Sequence, residues 1–116
     1  MPNLPLLPLL VVALAGCAQL QPTPDLIEAR EAVSVVDPLE PYLPAEVREA
    51  KRRLAEAQLA YENGQSDIAN RRAREAIVAA QLAEARADAQ QAQALTRVLE
   101  RRLSDARRPP SSTALR

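Results

Sequence analysis

Side chains able to do covalent or acid–base chemistry are few in this chain, and they do not converge. Histidine is absent, cysteine occurs once, at Cys17, and the only lysine is Lys51. With no imidazole and no second thiol there is no His/Cys metal set and no nucleophile–base pair of the usual kind. A disulfide cannot close within the chain either. What remains is fifteen acidic residues and the two tyrosines Tyr42 and Tyr61. The acids are scattered over helix surfaces and form no recognisable pair, so the sequence reads as a non-enzyme with no catalytic residues, cofactor or metal. Fifteen basic residues balance the fifteen acids and aromatics make up 2% of the chain, which leaves neither an electrostatic footprint nor a stacking platform for nucleic acid. The position with distinctive chemistry is Cys17, reached through an apolar run that ends in Leu14-Ala15-Gly16.

A small buried thiol is the plain reading of a lone cysteine, but the apolar stretch before Cys17 looks like a processing segment rather than a core element. Leu14-Ala15-Gly16-Cys17 resembles the lipobox of bacterial lipoproteins, in which small residues fit the signal peptidase and the cysteine is lipidated before cleavage. The resemblance implies that residues 1–16 are a signal peptide and that Cys17 is the mature N-terminus. It also implies diacylglycerol and an amide-linked acyl chain on Cys17. One acyl chain holds a protein only marginally, and each buried methylene adds about 0.8 kcal/mol, so several chains tether it stably. In the same family an Asp after the cysteine favours retention in the inner membrane. Ala18 stands there instead, and the expected location is the periplasmic side of the outer membrane. The leader departs from the usual pattern in having no Lys or Arg and in carrying Pro2, Pro5 and Pro8. An upstream start codon would account for this. Residues 4–15 are too short for the ~20 apolar residues of a membrane span.

The elements that must position anything else are helices. The expected fold is all-α: a short first helix, a proline joint, then an antiparallel helical hairpin with a long, coiled-coil-like third helix. Residues 17–23 form a lipidated spacer, 24–108 the helical domain and 109–116 a disordered tail. Thr23-Pro24-Asp25 reads as a helix start, with Thr23 as N-cap and Pro24 at the first helical position. Leu26, Ala29, Val33 and Val36 give that helix one apolar stripe. Pro38, Pro41 and Pro44 break the chain into extended or turn geometry, with Tyr42 as a packing residue. Val47, Ala50, Leu54, Ala57 and Tyr61 then step by three and four along a second helix to about Glu62. Asn63-Gly64 ends it with a left-handed cap, and Ser66-Asp67 caps the next helix at once. The third helix meets no breaker before Pro109, and Ala69, Ala73, Ala76, Ala80, Ala83 and Ala87 stripe its first half. Pairs such as Glu49 with Arg53, Asp67 with Arg71 and Arg101 with Asp105 support the helices. Leu95, Val98, Leu99 and Leu103 lie beyond the reach of the second helix. They form the candidate partner interface, covered by the first helix or by another molecule. Arg97, Arg101 and Arg102 beside them read as a solvated face, or as a polar rim to that interface.

Tyr42-Leu43-Pro44-Ala45-Glu46, Ala50-Lys51 with Leu54 and Ala57, and Gly64 followed by Ala69 and Glu84-Ala85-Arg86-Ala87 resemble a family of helical domains of unknown function in Gram-negative envelope lipoproteins. The resemblance runs from about Leu26 to Leu103. Such domains occur alone or upstream of an OmpA-like peptidoglycan-binding domain, and they bring no catalytic residues. The second and third helices also look like half of a tetratricopeptide array, but one pair is not an array. The expected function is an adaptor or structural element in an envelope complex. Its partners would be the membrane through Cys17 and an envelope protein or a second copy. The alternative is a spacer lipoprotein that binds peptidoglycan non-covalently. A covalently attached spacer would carry a C-terminal lysine, where this chain has Arg116.

Overall fold

The structure is a computed structural model and describes residues 21–110, which fold as three α-helices with no strand among the described residues. Helix α1 is Pro24–Val36, α2 is Pro44–Glu62 and α3 is Ser66–Arg107. The signal-peptide residues Leu14, Ala15 and Gly16, the lipidation candidate Cys17 and the tail at 111–116 lie outside the described residues.

Helix α1 starts as its sequence demands. The Leu26 amide donates to Thr23 Oγ1 at 3.3 Å, and Pro24 occupies the first turn, where a missing donor costs nothing. Its four-residue stripe, Leu26, Ala29, Val33 and Val36, is buried throughout. The proline joint is a compact turn rather than an extended link. A 3-10 turn spans Asp37–Leu39, and the amides of Tyr42 and Leu43 both donate to the Leu39 carbonyl at 2.9 Å. Lys51 of α2 holds this joint by ion pairs to Asp37 and Glu40, each 2.5 Å. Tyr42 is not a packing residue: it is 76% exposed, and the buried side chain of the joint is its neighbour Leu43. The turn directs one of two adjacent side chains inward, and the smaller aliphatic one fits against the helices.

Helix α2 ends in a Schellman motif. Gly64 has φ +74°, its amide donates to the Tyr61 carbonyl at 3.0 Å, and the Gln65 amide donates to the Ala60 carbonyl at 2.9 Å. Because Gln65 already closes this motif, α3 begins directly after it. Gln65 is the N-cap residue without a side-chain bond, and Ser66 is helical rather than capping. The α2–α3 hairpin is antiparallel, as its cross-helix ion pairs show. Glu46 pairs with Arg86, Arg53 with Glu75 at 2.5 Å, and Glu56 with Arg72 at 3.4 Å, so α3 numbers fall as α2 numbers rise.

The position of α1 is decided by its two ends. Asp25 pairs with Arg74 at 3.0 Å, while its C-terminus leads through the tight joint to the start of α2 beside Arg86. Helix α1 therefore runs alongside the first half of α3, in the same direction, and closes a three-helix bundle. Among the described residues fourteen apolar ones are buried, nine of them alanine, so the helices can approach closely but the apolar area removed from water is modest. Leu54 and Tyr61 are only partly buried against this core, where Ala57 is buried fully. The bundle ends near Ala87. From residue 88 to 110 every side chain is exposed, so α3 continues as a bare overhang about 30 Å long.

Candidate functional site

No enclosed, convergent site exists among the described residues, and no group of three or more His, Cys, Asp or Glu side chains there could hold a metal ion. No helix is long and apolar enough to cross a membrane among the described residues. Seven of the fifteen carboxylates make ion pairs among the described residues: Asp25, Asp37, Glu40, Glu46, Glu49, Glu56 and Glu75. Arg52 and Arg53 both engage Glu49, and Arg72 and Arg53 both engage Glu75. These contacts hold the carboxyls of Glu49 and Glu75 below their ordinary range, Arg53 being the larger influence on Glu49 and Arg72 on Glu75. Glu46 is lowered chiefly by the amide bond it receives at the start of α2, then by Arg86. Lys51 is raised by Asp37 first and Glu40 second. A depressed carboxylate on a solvated face is a poor acid or base at neutral pH, so these groups fix helix positions rather than move protons. Among the described residues, Asn70 Oδ1 is the buried side-chain polar atom without a hydrogen-bond partner.

The four residues singled out as a partner interface are brought onto the overhang and left uncovered. Leu95, Val98, Leu99 and Leu103 are 43–59% exposed, beyond the end of both α1 and α2. At about 100° per residue they centre roughly 90° round α3 from the alanine seam, so whatever covers them approaches from another side than the bundle does. Among the described residues Arg97, Arg101 and Arg102, next to them, make no ion pair; the Arg97 Nε donates back to the Gln93 carbonyl at 3.3 Å. The expected pairs Asp67–Arg71 and Arg101–Asp105 do not form, whereas Glu49–Arg53 does, at 2.9 Å.

Sequence reasoning did not anticipate a shallow groove between α2 and α3, lined by Ala45, Glu46, Glu49, Ala79, Leu82 and Arg86. It continues past Val78 and Glu75. Val78 and Leu82 are exposed there, on the side of α3 away from α1. The signal was available in their spacing of four, but it was masked by the stronger alanine periodicity of the same helix.

No family model, curated protein or solved structure matches this chain.

Proposed function

We propose that the protein is a lipid-anchored helical lipoprotein on the periplasmic side of the outer membrane, acting as an adaptor or structural element in an envelope complex. The observation that carries this reading is Leu14-Ala15-Gly16-Cys17 followed by Ala18, six residues ahead of the Thr23 helix cap. The thiol of Cys17 would carry the lipid as a thioether, and a spacer of that length reaches about 20 Å when extended. The tether then joins the bundle at the α1 start, level with Arg74, while the overhang leaves from the other end. Lipid attachment and the exposed leucines are thus kept apart, which suits a molecule held by one end of its bundle and bound by the other. Arginines around Leu95–Leu103 supply the polar rim of such an interface. Association with peptidoglycan is the second reading, and the unpaired Arg97, Arg101 and Arg102 would then meet wall carboxylates.

The test is metabolic labelling with a fatty acid followed by fractionation of the envelope. Wild-type protein should carry label and sediment with outer membranes. Cys17→Ser should remain unprocessed and unlabelled, since serine cannot form the thioether. Wild-type protein without label would end the lipoprotein reading.

A further inference from the structure

Helices α1, α2 and α3 run up, down and up, so the chain enters the bundle at one end and leaves it at the other. It enters at Pro24, where Asp25 pairs with Arg74 at 3.0 Å. It leaves near Ala87, beside the joint and the Glu46–Arg86 pair, where the overhang begins. A load applied between the residues before Pro24 and the overhang therefore pulls α1 and α3 in opposite senses along parallel axes. Neighbours loaded in this way slide, and the contacts along them must give together.

The bulk that resists the slide comes mainly from α1. Of the three largest fully buried side chains, Leu26 and Val36 belong to α1 and Val47 to α2. The buried residues of α3 are all alanine. At its far end α1 is fastened to α2 by the joint, where Lys51 reaches Asp37 and Glu40 and Leu43 is buried.

Without α1 the same load acts differently. Pro44 and the exit of α3 lie at one end of the hairpin, so the load would peel α2 from α3 starting at that end. The cross-helix pairs Glu46–Arg86, Arg53–Glu75 and Glu56–Arg72 would then break in turn rather than together. Partly solvated pairs broken singly resist little.

We infer that α1 is the mechanical latch of an extensible link, holding the bundle closed under tension between its N-terminal tether and its overhang. This deepens the proposed function and rests on anchoring at one end of the bundle and binding at the other. Folded, the link spans about 20 Å, the length of α1. Once the latch gives, residues 24–65 draw out to roughly 140 Å. A lipid-held end and a bound end then stay joined as the gap between them widens.

The latch is tested by pulling single full-length chains between Cys17, the only cysteine, and Ser104→Cys on the exposed overhang. Forced opening reads the unfolding barrier directly. The chain should open in one step of roughly 120 Å, the difference between the two lengths. A second chain, with Cys17→Ser and handles at Tyr42→Cys and Ser104→Cys, is loaded from one end of the hairpin only. Tyr42 is exposed, so this handle leaves the fold intact. It should open at several-fold lower force. Leu26→Ala should lower the force markedly in the first geometry and leave it nearly unchanged in the second, which also shows that the variant is folded. Equal forces in the two geometries would overturn the latch. So would a first step of only about 50 Å, which is α1 and the joint leaving a hairpin that still bears load. Neither pull involves lipid, so fatty-acid labelling decides the anchor separately.

Discussion

Single residues here act through backbone geometry and surface charge more than through chemistry. Gly64 shows the first. At φ +74° an added Cβ meets nothing within 4 Å, so substitution is resisted by the backbone alone and not by a clash with neighbours. Gly64→Val should therefore lower stability by about 1 kcal/mol or more, and Gly64→Asn by distinctly less, since asparagine tolerates the left-handed region. Equal melting of the two variants by circular dichroism would contradict this. Surface charge sets the pH response. Glu46, Glu49 and Glu75 are all lowered from an ordinary value of 4.5. Their folded forms bind protons less readily than the unfolded chain, so the stability they contribute is present above 4.5 and is lost as pH falls through the depressed values. The melting temperature should hold down to about pH 5 and then drop, and the drop should shrink in roughly 1 M salt because these groups are solvated. Lys51 works the other way: raised above 10.5, it contributes below that pH and loses its contribution as pH climbs through the raised value.

Among the elements, α1 depends most on its partners. Thirteen residues are too few to persist as an isolated helix in water. Its hold on the bundle is the buried stripe headed by Leu26, fully enclosed, with the Asp25–Arg74 pair at its start. Leu26→Ala should cost about 2–3 kcal/mol and release α1 before the hairpin melts. Hydrogen exchange would show early loss of protection at Ala29–Val36 with α2 and α3 still protected. Tyr42→Ala, by contrast, should change stability by under about 0.5 kcal/mol, because its ring lies in solvent. Leu54, only partly buried, should be less costly to truncate than Leu26.

For the whole molecule, the decisive feature is one helix longer than the bundle it belongs to. Helix α3 has 42 residues and α2 has 19, so no arrangement of α2 alone can cover both halves of α3. If a second copy covers the overhang, ending the chain after Gln90 should leave the monomer fold intact while removing the concentration dependence of melting. The melting temperature of the full chain should then rise with protein concentration by mass action, and that of the shortened chain should not. Equal concentration dependence in both would place self-association elsewhere than on residues 91–107.

Helix positions and their stripes were legible in the sequence because they follow from local physics. Thr23-Pro24 caps, Pro44 starts, Asn63-Gly64 stops, and apolar residues at steps of three and four face inward; the four residues expected on α1 and the alanine stripe of α3 as far as Ala83 are the ones buried. The all-α hairpin with a long third helix followed from these alone. Where α1 packs did not, because its sequence is equally compatible with lying on either half of α3. That choice belongs to contacts distant in the chain: the folded-in 3-10 turn, Lys51 reaching Asp37 and Glu40, and Asp25 reaching Arg74. The exchange of Tyr42 for Leu43 as the buried residue of the joint has the same origin, since a turn's inward direction is set by what it packs against. With α1 committed to the first half, Leu95, Val98, Leu99 and Leu103 are left exposed, and only the tertiary arrangement, by placing the cover, decides which apolar residues remain without one.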